Sequence, residues 1–218
     1  MILMNIEAAV IALIIILLSM TLHEVMHGFV AYLLGDDTAK LEGRLTLNPI
    51  KHIDPFLTVL LPVTLAALGA PVFGGAKPVP FNPSRLRYGE WGTALVAIAG
   101  PLTNLLIAFI FFVLFVVLKP IEASFLSNFI TMGVLANLGF FIFNILPIPP
   151  LDGSRVLYAI APDFIRNIME YLERYGLILI FAIVMLANQI LISFMSSSMN
   201  FILTIFNAIL GLNGSGVV

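Results

Sequence analysis

Apolar residues run along this chain in long blocks broken by short polar clusters. The first block, residues 7–34, is interrupted only by a polar cluster at 23–27. At 1.5 Å per residue it makes a helix of about 42 Å, long enough to cross a bilayer with some tilt. It holds no Lys or Arg before residue 21, carries Glu7 where a leader peptide needs basic charge, and has no small-residue cleavage site after it. Four further blocks, 91–118, 126–146, 175–192 and 194–210, predict spanning helices, the last two parted only by a short Ser-rich stretch. A shorter block, 56–72, holds Pro62, ends in Gly69-Ala70-Pro71 and leads into Phe73-Gly74-Gly75-Ala76-Lys77-Pro78-Val79-Pro80. The proline spacing of that tail predicts extended or hairpin chain rather than helix.

Charge decides whether block 56–72 crosses. If it does, the ten basic residues split six to four between the two sides. If it dips in and returns, segments 35–90 and 147–174 share one side and hold nine of the ten, leaving only Lys119 opposite. The re-entrant reading follows, with the N-terminus outside and the C-terminus in the cytosol. The expected fold is an all-α polytopic membrane protein of about five spanning helices plus one re-entrant helix/extended hairpin. Irregular backbone at membrane depth is tolerable only where protein buries it or water reaches it, so the hairpin is expected to line a cavity. No internal repeat or linker divides the chain. It reads as one membrane-embedded domain over 1–218, with a core of about 6–158 and C-terminal helices over about 159–212.

Composition agrees. Hydrophobic residues make up 61% of the 218, mean hydropathy is +1.10, and charged residues are 10%, against about 25% in soluble domains. A net charge of −2 gives no electrostatic case for nucleic acid. The absence of cysteine excludes disulfides, thiolate metal sites and a Cys nucleophile.

The polar cluster in the first helix is His23-Glu24-Val25-Met26-His27. Positions i and i+4 share a helix face, so both imidazoles reach one metal ion, and Glu24 stands close enough to hold and deprotonate a water there. Neutral imidazoles suit Zn²⁺ with one position left open for chemistry. The plainer alternative, two packed histidines bonded to carbonyls, leaves three ionisable groups inside a membrane without a use. A third ligand has two candidates in the apolar parts. Glu7 lies 16 residues before His23, about 24 Å up the same helix and out of reach. Asp152 closes Asn144-Ile145-Leu146-Pro147-Ile148-Pro149-Pro150-Leu151-Asp152-Gly153, directly after the fourth apolar block; its alternative role is to cap the next helix. In the re-entrant topology the first helix and block 126–146 run the same way, so Asp152 emerges on the face nearer His23 and His27.

Three motifs in this order, the HExxH cluster, Ala99-Gly100-Pro101-Leu102-Thr103-Asn104 and the Asn144–Gly153 proline segment, together with Gly75-Ala76-Lys77-Pro78-Val79-Pro80, make the chain resemble the site-2 protease family of intramembrane zinc metalloproteases. The short form without PDZ or CBS domains fits best, and the match covers nearly the whole chain. The resemblance implies one Zn²⁺ per chain on His23, His27 and Asp152, with Glu24 as general base, Asn104 as site support and Asn144 gripping substrate backbone. It also implies transmembrane protein substrates, a cell-membrane location in the lipid bilayer and an active site towards the cytosolic side.

A substrate helix has its amides paired internally and must unwind to be cut, so carboxamides such as Asn144 are suited to its freed backbone, and an Ala76–Phe81 strand offers an edge. Asn104, Asn137 and Asn144 have a competing role as bridges between helices. His52 is expected to pair with Asp54 in a loop rather than to serve as a ligand, and Phe109–Phe112 to be packed bulk. The rival functions are an intramembrane metal or proton transporter, which needs polar residues through the full membrane depth, and an inactive scaffold.

Overall fold

The computed structural model describes residues 6–71 and 74–212, so the end of the 56–72 block at Val72, and Phe73 after it, lie outside the described residues. The chain is helical, with no strand among the described residues. In order come α1 (Ile6–Leu33), α2 (Thr38–Leu41), α3 (Leu61–Ala67), α4 (Glu90–Leu118), α5 (Phe125–Asn144), α6 (Gly153–Ile160), α7 (Asp163–Glu173), α8 (Gly176–Leu186) and α9 (Asn188–Ile209). Four of these, α1, α4, α5 and α9, are long and apolar enough to cross a membrane. This is a polytopic, all-helical membrane protein.

The first three long helices form an antiparallel set around α4. His27 and His23 of α1 meet Val96 and Asn104 of α4, and Asn104 and Phe111 of α4 meet Asn137 and Phe129 of α5, so the residue numbers run in opposite senses across each pair. Small residues make this close packing possible. A Cβ on Gly133 of α5 would lie 2.6 Å from the Phe111 ring, and Ala108, Phe112, Val134 and Leu138 are fully buried in the same cluster.

Between α1 and α4 the chain dips and returns. Asp54 accepts hydrogen bonds from the Phe56 and Leu57 amides and starts a wide, π-type turn at Pro55–Leu60 that runs into α3. Beyond it the chain comes back beside its own beginning: the Gly75 amide donates to Leu57 O at 3.1 Å and the Lys77 amide to His52 O at 2.9 Å. Both ends of the hairpin therefore sit at one face. The expected Ala76–Phe81 strand is extended chain without a β partner, because Pro78 and Pro80 have no amide hydrogen to give a ladder.

The C-terminal quarter differs from expectation. The helix break falls at Ala187, between α8 and α9, and the Ser-rich stretch lies inside α9. Ser costs a helix only about 0.5 kcal/mol relative to Ala, too little to end one in an apolar run. With 11 residues, α8 is about 16 Å long and too short to span alone. Its Ile180 and Val184 pack on Leu151 with Leu191 of α9, at the end where α5 finishes. Farther along α9, Met199 lies against Gly139 of α5, and the Phe206 ring reaches Phe109 and Phe112 of α4 at 4.9 and 5.5 Å. Thus α9 runs antiparallel to α5 and ends on the face of Lys119. This corrects the expectation that the last apolar block, 194–210, ends on the basic face; the C-terminal residues 213–218 lie outside the described residues.

Candidate metal centre

The site is built on the face where α1 meets α4. His23 and His27 stand one turn apart on α1, and Val96, Gly100 and Asn104 stand four residues apart on α4, so two stripes face each other. The His27 Nδ1–H donates to Val96 O at 2.7 Å, and the His23 Nδ1–H to Asn104 Oδ1 at 2.6 Å. Gly100 sits between. A Cβ there would fall 2.4 Å from His27 Nε2 and 2.7 Å from His23 Cε1, so only glycine lets the imidazoles lie this close to α4.

The tautomers follow from the ends of the network. Val96 O is a carbonyl and can only accept, which places the His27 proton on Nδ1. From His23 a relay runs through three helices: Asn104 Nδ2 donates to Asn137 Oδ1 at 2.9 Å, and Asn137 Nδ2 donates to Gly133 O at 2.8 Å. Because the relay ends on a carbonyl, each amide upstream has one orientation, and His23 also carries its proton on Nδ1. Both Nε2 atoms therefore present lone pairs. They face each other at 3.0 Å.

Asp152 completes the set. It occupies the position just before α6, yet its side chain makes no capping hydrogen bond. Its Oδ2 instead lies 3.2 Å from His23 Nε2 and 3.5 Å from His27 Nε2. A Cβ on Gly153 would lie 2.1 Å from Ile145 O, so the bare glycine lets the chain fold back from the end of α5 and bring Asp152 under the histidines. Three electron-pair donors converge on one point. A proton relieves only one of the three contacts, whereas a cation at the centre relieves all three. The separations of 3.0, 3.2 and 3.5 Å match the edges of about 3.3–3.4 Å that a tetrahedron of 2.0–2.1 Å zinc bonds has. The donor set, two imidazoles and a carboxylate, fits Zn²⁺ with the fourth position open.

Forty per cent of residues over 203 positions, 89% of this chain and 90% of the relative, are identical to "Putative zinc metalloprotease YwhC" of Bacillus subtilis. The chain belongs to the site-2 protease family of zinc metalloproteases. A Rip2 protein of Mycolicibacterium smegmatis, named as a metalloprotease of the same kind, is 37% identical over 147 residues, spanning 65% of this chain and 53% of that one. MJ0611 of Methanocaldococcus jannaschii, also named so, is 48% identical over 62 residues, 28% of this chain and 31% of its own. No family model matches the chain, and no solved structure matches it.

Around His23, His27 and Asp152 lies a cavity of about 880 Å³. Glu24 lines it, and its Oε2 accepts a hydrogen bond from the Val79 amide at 2.8 Å. Asn144 also lines it. Its Nδ2 donates to Phe140 O at 3.0 Å within α5. Asn104 and Asn137 are fully buried behind His23 and are not among the residues lining the cavity; the hydrogen-bond chain through His23 is what connects them to the site. His52 is neither a ligand nor a partner of Asp54: Asp54 is occupied in capping the π-type turn, and His52 Nε2–H donates to Thr46 O at 2.9 Å.

Several participants escaped the reading of the sequence. Gly100 was visible only as part of the Ala99–Asn104 motif and Val96 not at all, although Val96, Gly100 and Asn104 follow one another at intervals of four and so mark one helix face. The Val79 amide and the wall residues Asn188 and Ser196 of α9 carry no side-chain signature of their own; folding alone brings them to the cavity.

Proposed function

We propose that the chain is an intramembrane zinc endopeptidase that hydrolyses peptide bonds within or near transmembrane segments of other membrane proteins. The observation that carries this reading is the open three-donor centre set beside Glu24 in a mostly apolar cavity, about 12 Å along α1 from the end of the helix at Leu33. One Zn²⁺ is held by His23, His27 and Asp152. The basic face, carrying the nine cations, is cytosolic, and the membrane is the cell membrane. The partners are transmembrane protein substrates and lipid, with no nucleic acid.

Bound there, the ion supplies Lewis acidity to a water nucleophile and to the carbonyl under attack. The rest is the work of the chain. Glu24 has one oxygen fixed by the Val79 amide and the other free to take the proton of the attacking water. The water oxygen bonds to the carbonyl carbon, the C–N bond breaks, and protonated Glu24 delivers its proton to the departing nitrogen. Asn144, at the wall, offers a carbonyl and an N–H to substrate backbone that has left its own helix. The apolar lining limits bulk water.

The test is incubation of purified protein with a panel of single-span substrates, with and without a zinc chelator, alongside Glu24→Gln. Gln keeps the shape and an acceptor for Val79 but cannot accept the proton. Cleavage is expected in the wild type, loss with chelator, and a fall of at least about 100-fold in a zinc-loaded Glu24→Gln. Cleavage by that variant at the wild-type rate removes Glu24 from the mechanism. Metal transport without any cleavage removes the protease reading.

A further inference from the structure

The returning segment 75–82 is held by alternate residues. Gly75 donates its amide to Leu57 O and accepts at its carbonyl from Thr58 Oγ1, and Lys77 donates to His52 O. Val79 donates to Glu24. In extended chain, the amide and carbonyl of one residue point to the same edge and those of the next to the other, so 75, 77 and 79 share the edge turned toward the body of the protein. Because prolines flank Val79 at 78 and 80, its amide is the one N–H of that tripeptide. That donor is spent on Glu24.

Two charged side chains fix the ends of the segment. Arg44, only 7% exposed, donates from Nη2 to Lys77 O at 2.8 Å. Asp36, 0% exposed, accepts the Asn82 amide on Oδ2 at 2.6 Å and the Thr38 amide and hydroxyl on Oδ1. Both bonds have one ionised partner, which makes them stronger than neutral ones. Arg44 makes no ion pair among the described residues, and its buried Nε has no partner. Its guanidinium instead serves the backbone of this segment. Asp36 and Arg44 flank α2 in the short turn that leaves α1, the helix that carries Glu24, so bracket and base belong to one continuous stretch. The space they close is tight: Val79 is 5% exposed, and a Cβ on Gly28 would lie 2.8 Å from its Cγ1.

We propose that Arg44 and Asp36 are positioning residues for the reaction: by gripping Lys77 O and the Asn82 amide they set the register of segment 77–82, and that register delivers the Val79 amide to Glu24. The role assigned to Glu24 rests on the function proposed above; the register itself does not. A slip of one residue along the segment would offer Glu24 a proline in place of the amide. Misplacement of a reacting group by about 1 Å can cost on the order of 100-fold in rate.

The experiment uses the full chain with Arg44→Met, which keeps apolar volume and removes the guanidinium, and Arg44→Lys as the conservative variant. The first readout is hydrogen exchange at the Val79 amide, which the flanking prolines isolate. In Arg44→Met it is expected to exchange at least about tenfold faster than in the wild type, with Arg44→Lys between the two and zinc content unchanged. The second readout is cleavage by the zinc-loaded fraction: kcat falls about 10–100-fold, KM stays within about threefold, and Arg44→Lys recovers part of the loss. If Arg44→Met does not fold, Asp36→Asn at the other end carries the same expectations. Unchanged Val79 exchange in a folded variant overturns the proposal whether or not any substrate is cut. Faster exchange with kcat unchanged also overturns it, since the register then does not serve the reaction. A wild type that cleaves nothing bears instead on the proposed function, and the exchange result still decides the bracket.

Discussion

Gly100 of α4 lies so close to His27 of α1 that a methyl group added to it would stand 2.4 Å from the imidazole Nε2. The ring cannot turn aside without giving up its 2.7 Å bond to Val96 O. Gly100→Ala is therefore expected to weaken zinc binding by about 10–100-fold, the range found when ligand orientation is disturbed. Alanine favours helix, so α4 itself should not suffer. Zinc titration together with far-UV circular dichroism checks this. A variant that holds zinc as tightly as the wild type would show that the two helices have room to part.

The relay from His23 through Asn104 and Asn137 to Gly133 O leads to a graded expectation. Asn104→Ala removes the acceptor that fixes the His23 tautomer and should cost about 10–100-fold in metal affinity. Asn137→Ala leaves that acceptor in place, the Asn104 Nδ2 still held by the longer 3.5 Å bond to Ser19 O, and should cost less. Both should unfold more easily, because each leaves a buried amide group unpaired, at about 1–3 kcal/mol. Equal loss of zinc in the two variants would mean that the relay is a helix bridge and not a ligand support.

How much of this was legible beforehand depends on the kind of signal. His23, His27 and Asp152 could be found because ligand chemistry needs particular side chains, and few exist in so apolar a chain. The re-entrant hairpin was legible because nine cations on one face is an uneven split that a crossing would undo. Gly100 was missed as a determinant because its role is the absence of a side chain, and Val79 because its role belongs to the backbone. The direction of α9 was lost for another reason. Periodicity places an apolar helix in the membrane but does not say where it breaks, and the polar serines at 196–198 were a weaker breaker than the junction at Ala187.

Asp36 ties stability to acid. Burial pushes its carboxyl upward, but the hydrogen bonds from the Thr38 hydroxyl and the Asn82 and Thr38 amides, with the nearby charge of Arg85, outweigh that and hold it below its usual 3.8. A group with a depressed folded value binds a proton more readily when unfolded, so its contribution is complete above the unfolded value and is lost as pH falls through the folded one. The melting temperature of the detergent-solubilised protein should therefore drop as pH falls below about 4. In Asp36→Asn that part of the drop should be missing, with lower stability at neutral pH. Parallel curves for the two proteins would contradict the assignment.

Side-specific labelling tests the topology, and the lack of native cysteine makes it clean. Cysteines introduced near Lys51 and Arg85 flank the hairpin, whose ends meet where Lys77 returns to His52, so both should react from one side. Glu122→Cys, in the turn between α4 and α5, should react from the other. Leu212→Cys is the informative position. Because Phe206 contacts Phe109 and Phe112 near the end of α4, α9 finishes beside that turn, and Leu212 packs in the same cluster. It should label from the Glu122 side, giving an even number of crossings. Labelling of Leu212→Cys from the side of Lys51 would require α8 to cross as a separate span, which its 11 residues are too few to do. That result would mean that α8 and α9 sit differently in the membrane, and Asn188 and Ser196 would leave the cavity wall with them.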